Sequence, residues 1–131
     1  MEAVTEKKEP VYRAQLRGER ADEIYVNILK CLTQDKHYRD PAFTARRLAQ
    51  ELGITARNLS AAIAQHTGNN YNALVNSYRL RDACRMLRSA RYAHLSVEEI
   101  GLLSGFSSRQ AFYVAFHRVY DMTPRAYRLQ E

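Results

Sequence analysis

The chain has 131 residues and a mass of 15.2 kDa, which makes one ordinary domain or two very small ones sharing a core. Apolar residues are 46% and charged residues 26%, a globular composition, while 5 Gly and 3 Pro are too few for collagen-like, Pro-rich disordered or all-β sandwich chains. Lys and Arg number 20 against 14 Asp and Glu, net +6, so nucleic acid is the first partner class to consider.

Residues 1–21 are polar and aperiodic, and are expected to form a mobile arm. From Asp22 to residue 34, Ile24, Ile28, Leu29 and Leu32 recur at helical spacing. The stretch DKHYRDPAF is a connection that Pro41 keeps from being helical. A short helix follows from Thr44 to Leu52, with Leu48, Ala49 and Leu52 on one face, and Gly53 ends it. Thr55 can cap the next helix, Ala56 to about Thr67, with Leu59, Ala62 and Ile63 inward. A long linker helix is expected over 71–91, with Leu74, Val75, Tyr78, Ala83, Leu87 and Ala90 inward. At over twenty residues it would span about 30 Å. Ser96 and Glu99 form a capping box for a helix that carries Val97, Ile100 and Leu103 and stops at Gly105. Ser107 or Ser108 can cap a further helix to about Tyr120, with Phe112 and Phe116 inward. Thr123-Pro124 opens a last short helix, with Pro at its first position. The fold class is therefore all-α, about seven helices, with no strand. Its expected organisation is a subdomain over 22–70, the linker helix over 71–91 and a second subdomain over 92–131.

The two short-helix units repeat. The first reads Leu48, Ala49, Gly53, Ile54, Leu59, Ile63; the second reads Ile100, Gly101, Gly105, Phe106, Phe112, Phe116. The turn glycines lie 52 residues apart, and the second copy has one extra residue after its turn. A small residue four before the turn lets two helices nearly touch, Gly makes the sharp turn, and an apolar residue after it enters the core. That is the signature of a helix-turn-helix. Gly53 and Gly105 are accordingly expected between tightly packed helices.

The charge excess lies with these units. Residues 1–23 hold five basic and six acidic side chains; residues 24–131 hold fifteen and eight, and thirteen of those fifteen are Arg. Arg offers a planar donor fork that suits phosphate and guanine edges. A solvated basic surface is the plainer alternative.

With the repeat in place, the chain resembles the DNA-binding domain of the AraC/XylS family of bacterial transcription regulators. Three stretches of the second unit carry the resemblance: Ser96-Val97-Glu98-Glu99-Ile100, then Gly105-Phe106-Ser107-Ser108-Arg109-Gln110-Ala111-Phe112, then Thr123-Pro124-Arg125-Ala126-Tyr127-Arg128. The first unit adds Leu52-Gly53-Ile54-Thr55, and the linker adds Arg79-Leu80 and Ala83. The resemblance covers about residues 24–129. It implies two helix-turn-helix subdomains on a linker helix, reading two adjacent major-groove segments of double-stranded DNA. Gly101 stands where the family usually has Ala, and Asp121 where it often has Gly. Ala61-Ala62-Ile63-Ala64 leaves the first recognition helix unusually bare.

Base-reading candidates are Arg57 and Ser60 in the first unit, and Ser108, Arg109, Gln110 and Tyr113 in the second. Arg suits guanine and Gln suits adenine. Phosphate candidates are Arg46, Arg47, Thr55 and Ser107; the two arginines lie in a first helical turn, where a cation suits a nearby anion. The structural turn residues are Gly53, Gly105 and Pro124. Arg81, Arg85 and Arg88 form a stripe that reads first as a solvated face, and the resemblance implies that Arg79 braces the two subdomains instead of touching DNA. Tyr71 and Tyr78 suit packing between the subdomains.

The expected function is sequence-specific transcription regulation, with the resemblance favouring an activator. RNA polymerase is a candidate second partner. The alternative is a protein-interaction module with weak or lost DNA binding. Four histidines at no ligand spacing, no Gly-rich phosphate loop and no catalytic set argue for no metal, no cofactor and no enzyme activity. No small-molecule ligand is expected within this chain. The arm is too short for the sensing domain many relatives carry. The chain is then either a stand-alone regulator or the DNA-binding end of a longer sensor. MEAVTEKKEPVYR has no apolar signal core and no apolar run suits a membrane, so the expected compartment is the cytoplasm. Cys31 and Cys84 sit at apolar helical positions and are expected to be buried thiols.

Overall fold

The computed structural model describes residue 18 and residues 20–130, so the expected polar arm lies almost wholly outside it. Seven α-helices and two 3-10 segments make up the described residues, with no strand. Helices α1 (Ala21–Thr33), α2 (Ala45–Leu52) and α3 (Ala56–Thr67) form the first unit, and α4 (Tyr71–Leu87) links it onward. Helices α5 (Val97–Leu103), α6 (Arg109–Tyr120) and α7 (Pro124–Leu129) form the second. The 3-10 stretches, Gln34–Arg39 (kinked at Asp35 and Lys36, which have positive φ) and Ala90–Tyr92, occupy corresponding places before α2 and α5.

The chain buries two cores. Ile28 and Leu32 of α1, Phe43, Leu48, Leu59 and Ile63 meet the first half of α4 at Leu74 and Val75. The second half of α4 turns Leu80, Ala83, Met86 and Leu87 onto Ile100, Phe106, Phe112 and Phe116. One amphipathic helix thus serves as a wall for both cores. It is shorter than expected: 17 residues, about 26 Å, ending at Leu87. Ser89 takes an extended backbone and its hydroxyl accepts from the Arg91 amide at 3.2 Å, which starts the 3-10 segment. Ala90 is therefore exposed, outside the helix. Tyr71 and Tyr78 pack with the first core, not between the units. Tyr71 donates to the Phe43 carbonyl, and burial pushes its phenol up to about 12. Both cysteines are half-buried free thiols, less enclosed than their apolar spacing suggests.

The two turns are built by the same hydrogen bonds. Ile54 N–H donates to the Ala49 carbonyl at 3.0 Å and Gly53 N–H to Gln50 at 3.2 Å. Phe106 N–H donates to Gly101 at 3.2 Å and Gly105 N–H to Leu102 at 3.1 Å. Each pair closes a Schellman motif, which needs a residue at positive φ. Gly53 has φ +68 and Gly105 φ +114. The repeat continues past the recognition helix: Gly68 at φ 70 and Asp121 at φ 56 are the left-handed C-caps of α3 and α6. Asn70 and Thr123 then cap α4 and α7.

The small residue before each turn is matched to its neighbour. A methyl on Gly101 would overlap the buried Phe112 ring, with ring carbon Cγ only 2.6 Å away. Ala49 and Leu59 hold the corresponding places in the first core. The second unit has therefore exchanged Ala for Gly and gained an aromatic ring.

A polar clasp joins the units on the inner side of α4. Buried Arg79 donates through Nε to the Tyr38 carbonyl at 2.6 Å and through Nη2 to the Asp40 carbonyl at 3.1 Å. Its guanidinium also faces the Phe106 ring, 6.0 Å from the centroid. One turn on, Asp82 accepts from Tyr38 Oη at 2.8 Å, Arg39 Nε at 2.7 Å and Arg85 Nη2 at 2.6 Å. Burial raises the Asp82 carboxyl, but these three donors together outweigh burial and hold it below the usual carboxylate range. No buried side-chain N or O among the described residues lacks a partner.

Candidate nucleic-acid interface

Each recognition helix begins at a hydroxyl cap. Thr55 Oγ1 accepts from the Asn58 amide at 3.0 Å, and Ser108 Oγ from the Ala111 amide at 3.1 Å. Thr55 and Ser108 are thus equivalent, and the extra residue of the second unit is Ser107, exposed in the turn. The caps leave the first helical turn open to solvent, where helix N–H groups and dipole favour an anion.

On α3 the exposed leading residues are Ala56, Arg57 and Ser60, with Ala61 half-buried. On α6 they are Arg109 and Gln110, with His117 further along. Arg57 and Arg109 have no carboxylate within salt-bridge distance among the described residues, so their forks are available. Tyr113 differs. Its ring packs with the second core and its hydroxyl donates to Glu98 Oε2 on α5. That bond raises the phenol and holds Glu98 below its usual range. The structure therefore groups Ser108, Arg109 and Gln110 on one exposed turn, with Tyr113 tethered beneath them.

The phosphate candidates also separate. Arg46 is exposed without a carboxylate among the described residues. Arg47 is engaged: Nε donates to Glu51 at 3.2 Å, Nη1 to Asp40 at 3.1 Å, and the group lies over the Phe43 ring at 5.2 Å. The arginine stripe along α4 and its C-cap is engaged as well. Arg81 lies over Tyr78, Arg85 binds Asp82, and Arg88 reaches Gln130 and Tyr127.

Two residues were missed as candidates. Arg118 and Arg125 flank an open groove with Val114, His117, Thr123 and Pro124, between α6 and the start of α7. Neither has a carboxylate partner among the described residues. The signal was present for Arg125: it follows Pro124 in a first helical turn, as Arg46 follows Ala45. Pro124 is buried at the first position of α7, and Thr123 Oγ1 accepts from the Ala126 amide at 3.0 Å.

The sequence model of a helix-turn-helix domain family matches residues 48–130. The xylose operon regulatory protein of Escherichia coli K12 is 33% identical over 99 residues, 72% of this chain and 24% of that protein. The HTH-type transcriptional activator RhaS of Shigella boydii is 29% identical over 100 residues, 76% of this chain and 34% of that protein. The chain thus spans about a quarter to a third of the length of these relatives. Among solved structures, an AraC-type transcriptional regulator from Chromobacterium violaceum superposes with a TM-score of 0.58 at 28% identity, covering 66% of this chain and 75% of that one. With two capped, Schellman-turned units on one shared helix and this family match over most of its length, the chain belongs to the AraC/XylS family of helix-turn-helix transcription regulators.

Proposed function

We propose that the chain binds double-stranded DNA in a sequence-specific way and regulates transcription as an activator, with α3 and α6 entering adjacent major-groove segments. The observation that carries this reading is the doubled unit: two turns of the same hydrogen-bonded form, each presenting a capped helix whose leading face offers an arginine with no carboxylate partner among the described residues. In this reading Arg109 and Gln110 discriminate bases, Ser108 assists them, and Arg57 with Ser60 contributes the first unit's smaller share. Tyr113 supports the base-reading turn through Glu98. Arg46, Thr55 and Ser107 meet phosphate, Arg118 and Arg125 add two further cations, and Arg47 first gives up its carboxylates. As an activator, the bound protein has RNA polymerase as its second partner.

Site selection from random DNA tests this reading. Arg109→Ala is expected to cost about 1–3 kcal/mol at the preferred site and to relax base preference there. Arg46→Ala is expected to weaken all sequences alike and to make the salt slope shallower by about one phosphate, or about 0.9 in log–log slope. Salt-independent affinity, or no site preferred over random DNA, rules the reading out. If Arg57→Ala abolishes the preference and Arg109→Ala preserves it, the division between the units is reversed.

A further inference from the structure

The turn glycines supply an internal control. Both turns close the same two hydrogen bonds, so the turn itself needs the same thing in each. Yet a methyl on Gly53 would meet open space, whereas one on Gly105 would strike the Tyr38 carbonyl, with Arg39 Cα at 2.8 Å and Arg79 Nε at 2.9 Å. Tyr38 belongs to the first core, and Phe106, next to Gly105, belongs to the second. The closeness at Gly105 is therefore a contact between units: the Tyr38 carbonyl that it meets is held by Arg79 Nε, while Asp82 holds the Tyr38 and Arg39 side chains.

From this we infer that the clasp of Gly105, Tyr38, Arg39, Arg79 and Asp82 sets the angle and separation between the two recognition helices, and thereby the spacing of the two DNA half-sites. The inference rests on the DNA-binding reading above. Helix α4 packs into both cores and sets the coarse arrangement, but packing along one shared helix leaves each unit some rocking and rotation about its axis. A second contact off the helix axis removes those freedoms. DNA is unforgiving of them: each added base pair moves a half-site by about 3.4 Å and turns it by about 34°. Two linked readers gain from each other only when their geometry allows both to engage at once. Gly105 and Arg79 are positioning residues in this scheme and touch no base.

The test uses the full chain with Arg79→Lys, which keeps the charge but loses the two-pronged hold on the Tyr38 and Asp40 carbonyls, and Asp82→Asn, which keeps the shape. Gly105→Ala is a third variant whose own folding is checked by thermal melting. Half-sites from the wild-type selection are presented with spacers lengthened or shortened by one to three base pairs. The wild type is expected to prefer one spacing by at least about tenfold, and Arg79→Lys to flatten that preference to about threefold or less while selecting the same half-site sequences. In the free protein, spin labels at Gln65 on α3 and Arg118 on α6, with both cysteines replaced by serine, should show a narrow distance distribution that broadens in the variants. A variant that keeps both the sharp spacing preference and the narrow distribution overturns the inference. Distances that broaden while the wild type binds no DNA leave the clasp standing as an orienting device and overturn its role in spacing, together with the DNA-binding reading. Loss of half-site sequence preference alongside spacing also overturns it, because that result makes the clasp part of each reader instead of the joint between them.

Discussion

The two helix-turn-helix units share a backbone plan and differ in how tightly each is filled. In the first, Ala49 and Leu59 share the helix crossing and Gly53 turns in open space; in the second, Gly101 lies against Phe112 and Gly105 is pressed onto Tyr38 and Arg39. The recognition faces differ in the same sense: α3 leads with Arg57 among alanines, and α6 leads with Arg109 and Gln110. A turn's hydrogen bonds therefore do not tell how much a substitution there costs. What surrounds the turn decides that.

The largest effect should separate the two glycines. Gly105→Ala combines left-handed strain with collision against backbone and is expected to cost about 3 kcal/mol or more. Gly53→Ala meets only the strain and is expected to cost about 1 kcal/mol. Thermal melts of the two variants check this, and equal losses would break the contrast between the turns.

Next comes the helix crossing. Gly101→Ala is expected to cost about 1–3 kcal/mol because the Phe112 ring is wholly buried and cannot swing away. Adding Phe112→Leu recreates the pair found in the first unit. The double variant should then be more stable than the sum of the single losses by about 1 kcal/mol. Strict additivity in denaturant titrations would show that the Gly101–Phe112 match is not a volume exchange.

The clasp predicts a pH dependence of similar or smaller size. The Asp82 carboxyl is held below its ordinary value in the folded protein, so its stabilisation is present above the ordinary carboxylate range and is lost as pH falls through its lowered value. Asp82→Asn should cost about 1–3 kcal/mol at neutral pH. The wild type's advantage over it should shrink below about pH 4. An advantage unchanged down to pH 2 would show that Asp82 acts through packing and not through charge.

The smallest expected effect concerns the ends of the recognition helices. Gly68 and Asp121 occupy equivalent left-handed caps, so Asp121→Gly should stabilise the second unit by about 0.5–1 kcal/mol. A lowered melting temperature would mean that the Asp121 side chain has a role of its own, for which the nearby His117 at 3.9 Å is the partner to examine.

Local chemistry made much of this fold legible in one dimension. Hydroxyl caps, the Ser96–Glu99 box, the turn glycines and the 3.6-residue apolar period all act within a few residues, so the helix order, the doubled unit and the exposed turn bearing Arg109 and Gln110 follow from the chain itself. The end of α4 was less legible, because no Gly or Pro follows Leu87 and the one local signal is the Ser89 hydroxyl that bonds to the Arg91 amide. Only the tertiary structure decided which charges are available. Arg47 and Arg109 look alike in sequence, yet Arg47 is bound by Asp40 and Glu51, one of them seven residues away. It also decided that Tyr113 spends its hydroxyl on Glu98, and that Asp82 gathers donors from 44 and 43 residues up the chain. A charged residue on the inward face of α4 is the trace such a clasp leaves in sequence. Its partners are set by how the two units dock, and periodicity carries no record of that.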